Sequence, residues 1–146
     1  MNAVEVDDPS IGNDWRLLRR IPLVVGGTHA QIVWDKSRNA WVPTSLAFNG
    51  HPDNPRAFSV HLEPVLLENG FDAESVVLDK SKFGLATFTA AEARTQNQVL
   101  MRMPLPGEPA HAHVLGEKTG GIRRRLKNCA VWVIPPNLPP PADNGS

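Results

Sequence analysis

The sequence predicts a small single α+β domain, a short antiparallel or mixed sheet with short helices packed on it. Three observations predict it. Apolar and polar residues alternate with period two in places, as where Phe58, Val60 and Leu62 interleave with Ser59, His61 and Glu63. Helix punctuation occurs elsewhere, above all Thr89-Ala90-Ala91-Glu92, the pattern of a capping box. The two kinds of segment follow one another without the strict strand–helix–strand rhythm of a parallel sheet.

Taken in order, residues 1–13 carry Asp7, Asp8, Pro9, Gly12 and Asn13 with little to bury, and read as a flexible lead-in. Trp15 to Val25 is apolar with a basic centre at Arg16, Arg19 and Arg20, and reads as a short helix entering a strand. Gly26-Gly27 breaks it. His29 to Trp34 is a strand, Asp35 to Asn39 a polar turn, and Ala40 to Val42 the return strand of a hairpin. Asn49 to Pro55 is a surface loop. After the Phe58–Leu62 strand, Pro64 suits a first helical turn and Asn69-Gly70 its end. Phe83 to Phe88 is a strand, and the Thr89 box opens a helix from Ala90 to about Gln98. Pro104 and Pro106 start a loop through Pro109, and Ala110 to Leu115 is a strand. A turn over Gly116–Gly121 leads to Ile122, Leu126, Cys129, Ala130 and Val133, which fall at helical spacing. Residues 135–146 form a proline-rich flexible tail. The domain therefore runs over residues 14–134.

Bulk properties narrow the function classes. With 146 residues, 41% hydrophobic and 21% charged, the chain has the composition of one ordinary globular domain. Fifteen basic residues balance fifteen acidic ones, so a globally basic nucleic-acid binder is not indicated, and any charge effect is local. The single cysteine, Cys129, excludes an intramolecular disulfide and a Cys₄ or Cys₂His₂ zinc site. The start is acidic, unlike a signal peptide, and apolar runs fall short of a membrane span. A cytoplasmic protein with no membrane partner is expected. No residues are nominated as metal ligands, and the composition names no cofactor.

One region carries candidate chemistry. On a strand, His111 and His113 share a face about 7 Å apart, close enough to act as acid and base. His61, on the polar side of its own strand, is a third catalytic candidate. The strand runs into a glycine turn and a helix, an arrangement that offers amides and a partial positive charge to an anion. Lys118, Thr119, Gly120 and Gly121 supply the turn, and Arg123, Arg124, Arg125 and Lys127 the densest positive cluster in the chain. Lys118 follows Glu117 rather than glycine, so no Walker A motif is present. Three arginines in a first helical turn oppose the helix dipole, a strain that a bound anion relieves.

Three segments carry a resemblance: Pro43-Thr44-Ser45-Leu46-Ala47-Phe48, Phe58-Ser59-Val60, and Pro109-Ala110-His111-Ala112-His113-Val114-Leu115-Gly116-Glu117-Lys118-Thr119. Their order and spacing over residues 15 to 134 resemble a family of short bacterial proteins with the pattern Pro-Ser-Ser-x-x-Phe, Ser-Val and Pro-Ala-His-Ala-x-Val-x-Gly-x-Lys. Thr44 departs from it. The resemblance implies a bacterial origin and a self-contained domain, and no particular chemistry.

Three functions follow as expectations. The first is a binding or accessory domain that engages an anionic partner, nucleic acid or an acidic protein, through the basic strand, turn and helix. The second is an enzyme acting on a phosphate-bearing substrate, a nucleotide or RNA, through His111 and His113, with ADP-ribosyl transfer as a variant resting on fold analogy. It requires both histidines to line a cavity near the 116–121 turn. The third is a protein-binding partner in a toxin or immunity complex.

Overall fold

The computed structural model describes residues 4–142. Eight strands form in chain order: β1 (Arg16–Pro22), β2 (Ile32–Asp35), β3 (Ala40–Pro43), β4 (Ala57–Leu62), β5 (Phe83–Thr89), β6 (Val99–Arg102), β7 (His111–Leu115) and β8 (Val131–Ile134). Three α-helices accompany them: α1 (Glu63–Glu68), α2 (Ala90–Thr95) and α3 (Gly120–Cys129). Two 3-10 turns lie at Ser45–Phe48 and Ala73–Val76. Six strands make one sheet in the order β6-β7-β4-β1-β5-β8, every neighbouring pair antiparallel. β2 and β3 form a separate hairpin. The α+β class is thus what the chain adopts.

The two faces of the sheet do different work, and the register shows which residues share a face. Ser59 pairs with His113 and His61 with His111, while Phe58 pairs with Val114 and Val60 with Ala112. Paired residues of an antiparallel ladder point the same way, and neighbours along a strand point oppositely. Phe58, Val60, Ala112 and Val114 therefore lie on one side and the three histidines with Ser59 on the other. On the Phe58 side, Phe48, Phe58 and Phe88 meet edge to face, each pair of ring centres about 6 Å apart (6.1, 5.9 and 6.2 Å). The Ser45–Phe48 turn carries Phe48 and packs against α3. On the histidine side, α1 and the Ala73–Val76 turn lie against β1. Leu18, which pairs with His61, is fully buried there.

Several elements depart from the sequence-based expectation. The region around Arg16 to Ile21 is a central strand throughout. Leu17 and Leu18 are both fully buried, one on each face, so the strand loses its alternation and mimics an apolar helix. Helix α3 stops at Cys129, where Ala130 turns to extended backbone (φ −72°, ψ 140°), and Val133 belongs to β8. Helix α2 ends at Thr95, and β6 follows it as an edge strand.

The expectation of a loose lead-in is corrected for residues 4–13. Ile11 is fully buried. The Asp8 amide donates to the Leu100 carbonyl at 2.8 Å, and the Leu100 amide to Asp7 Oδ1 at 2.9 Å. Arg94 and Arg102 hold Asp7 and Asp8, and Arg56 holds Glu5. At the other end, Leu138 packs against the core and Trp41 Nε1 donates to the Pro139 carbonyl at 3.2 Å. The rest of the expected tail, 143–146, and residues 1–3 lie outside the described residues.

Candidate functional site

The site grows from β4, β7 and the edge of β1. Alternation puts Ser59 and His61 on one face of β4, and pairing sets His113 and His111 opposite them. His111 Nδ1 lies 2.8 Å from the Met103 carbonyl. A carbonyl only accepts, so Nδ1 carries the proton. Nε2 is then the acceptor, and the Ser59 hydroxyl donates to it at 3.0 Å. A hydroxyl, an imidazole and a third group that orients the imidazole are the parts of an activated nucleophile. His61 and His113 flank His111 edge to face, with ring centres at 5.8 and 5.2 Å.

The surroundings of the flanking histidines favour their neutral forms. Burial pulls the His61 pKa below its ordinary value, and a long contact from its Nε2 to Glu108 Oε1 at 3.4 Å opposes this in part. Burial, then the neighbouring His111, does the same to His113.

Ser59 and His113 open into a cleft of about 690 Å³. β1 and β4 pair only at Leu17 with Leu62 and Leu18 with His61. Beyond that point Arg19 bridges them: Nη1 donates to the Ser59 carbonyl at 2.9 Å and Nε to the Ala47 carbonyl at 3.2 Å. Its guanidinium also lies 4.8 Å from the Phe58 ring centre. No carboxylate among the described residues forms an ion pair with Arg19. Desolvation lowers its pKa to about 10, and the nearby Arg20 adds to the effect. His29 and His51 join Arg19 and His113 on the cleft wall, and no Asp or Glu lines it. The 50–57 loop that carries His51 needs Gly50, because a Cβ there would sit 1.8 Å from the Pro55 carbonyl oxygen.

The basic turn and helix lie elsewhere. Lys118 Nζ sits 5.3 Å from the Phe58 ring centre but, unlike Arg19, does not line the cleft, and its ammonium is turned inward onto protein acceptors. It donates to the Arg56, Val114 and Gly116 carbonyls and to Gln98 Oε1, at 2.7, 3.2, 2.8 and 2.6 Å. Burial lowers its pKa to about 8. Gly116 permits this fold-back, with φ +145° and the Gln98 side chain against its α-carbon. Thr119 Oγ1 accepts from the Ile122 amide as the cap of α3, whose first residues are Gly120 and Gly121. Arg123 turns back to donate to the Lys118 carbonyl at 2.7 Å, and Arg125 donates to Gln96. Arg124 and Arg125 are exposed, whereas Lys127 is half-buried beside β3 and β8. The expected anion cluster is therefore dispersed and does not line the cleft of Ser59 and His113; His111, expected to line a cavity with His113, stands behind Ser59 and is not on that cleft's wall.

Sequence reasoning placed His61, His111 and His113 but missed Ser59 and Arg19. The signal for Ser59 was its position two residues before His61. Among the described residues, no group of three or more His, Cys, Asp or Glu is arranged to hold a metal ion. None of their helices is long and apolar enough to cross a membrane. No protein-family model, curated protein or solved structure matches this chain.

Proposed function

We propose that this protein is an enzyme acting on a small phosphate-bearing substrate, with Ser59 as nucleophile and His111 as its base. The observation that carries the reading is the Ser59–His111 hydrogen bond, with Nδ1 pinned by Met103, at the mouth of a cleft that holds an arginine without a carboxylate partner. A half-buried guanidinium with spare donors and no counter-charge suits a phosphate, which it contacts in bidentate fashion. As Ser59 Oγ bonds to phosphorus, its proton passes to His111 Nε2. The bond from phosphorus to the leaving oxygen breaks, and the imidazolium returns the proton to that oxygen. Water then attacks phosphorus as His111 Nε2 takes its proton, the bond from Ser59 Oγ to phosphorus breaks, and His111 returns the proton to Oγ; His113, which burial biases toward its neutral form, offers that water an acceptor.

A fluorophosphonate probe tests this whatever the natural substrate is. Mass spectrometry is expected to find the adduct on Ser59, to lose it in Ser59→Ala, and to show labelling slowed by about 100-fold in His111→Gln. Absence of an adduct at Ser59, or a rate untouched by His111→Gln, rejects the mechanism.

A further inference from the structure

A second concavity of about 370 Å³ opens on the histidine side of the sheet. His61 lines it, two residues along β4 from Ser59 and so about 7 Å away. His111, in ring contact with His61 and bonded to Ser59, connects a wall residue of each space. We infer that this groove is a nucleobase subsite, so that the phosphate-bearing substrate of the preceding section, on which this inference rests, is a nucleotide.

The groove has the chemistry of a heterocycle's surroundings. Leu66, Val76, Phe71 and Leu78 supply apolar walls. Phe71 and Leu78 are 55% and 95% exposed, so apolar surface faces water at the rim of a concave site. A flat ring covers such a surface by stacking. Polar groups stand among these walls. Arg20 offers donors and forms no ion pair with any described residue. Glu108 offers carboxylate acceptors, one of them in the long contact with His61. An alkyl chain leaves these donors and acceptors without partners, whereas the edge of a base carries both kinds. The two spaces are linked along one strand: Ser59 lines the first and His61 the second, two residues apart on the same face of β4.

The test is titration calorimetry with inorganic phosphate, the four nucleosides, the four nucleoside 5′-monophosphates and an octyl phosphate, on wild type, Phe71→Ala, Leu78→Asp and Arg19→Lys. At least one nucleotide is expected to bind about tenfold or more tightly than phosphate or octyl phosphate. Phe71→Ala and Leu78→Asp, both at exposed positions that leave the core intact, are expected to remove that advantage and leave phosphate affinity unchanged. Arg19→Lys is expected to weaken phosphate and nucleotide alike. Nucleotides binding no better than phosphate or octyl phosphate, or unaffected by the Phe71 and Leu78 changes, overturn the nucleobase subsite. Nucleosides that bind at the groove while phosphate does not bind leave the subsite standing and overturn the phosphate cleft instead.

Discussion

His61 and His113 owe their charge state to burial rather than to a partner. Both have folded pKa values below the ordinary 6.5, so the unfolded chain binds more protons than the folded chain as pH falls through that value. Their contribution to stability is full above about pH 6.5 and is lost as pH drops from there towards the folded values. Urea midpoints measured from about pH 7.5 to 5 are expected to fall, and His113→Gln is expected to flatten that slope. Asp8, Asp35 and Asp79 each accept a hydrogen bond from a serine hydroxyl two residues on, which holds their pKa below 3.8. Their losses come in a lower, separate window. At this scale the candidate site was half legible. Alternation alone places His111 with His113 and Ser59 with His61, but β4 and β7 pair across about fifty intervening residues that include α1, β5, α2 and β6, and no local pattern encodes that pairing. Arg19 was hidden for a related reason, since nothing in Arg16 to Arg20 shows which arginine meets the gap between two strands.

Among the elements, the capping box was readable and is realised in full. The Thr89 hydroxyl accepts from the Glu92 amide at 3.2 Å, and Glu92 Oε1 accepts from the Thr89 amide at 2.8 Å. Thr89→Ala is expected to cost about 1 kcal/mol, read as a lower denaturation midpoint at unchanged slope. The hairpin β2–β3, strands β4, β5 and β7, and helix α1 with its Pro64 were readable too, because turn residues or strict alternation bound them. β1, β6 and β8 were not. β1 is buried on both faces, β6 is four residues without alternation of its own, and β8 continues the apolar spacing of α3 past its true end. Tertiary pairing decides all three.

For the whole molecule, the principal surprise is how firmly residues 4–13 join the fold. Ile11 reaches the core, so Ile11→Ala is expected to cost about 2–5 kcal/mol, an effect of core size from a segment composed like a linker. Thermal or urea unfolding of that variant measures it. The segment looked loose because its contacts are made by Asp7 and Asp8, residues that in a sequence mark turns and solvent.

That same segment bears on behaviour at high concentration. A sheet with two bare margins recruits other copies of itself through unpaired amides and carbonyls. Here β6 is shielded by the Asp7 carboxylate and the Asp8 amide, which occupy both polar groups of Leu100, and β8 runs straight into Pro135 and Pro136, neither of which has an amide hydrogen to offer. The lead-in and the prolines thus act as guards against intermolecular sheet growth as much as parts of the monomer.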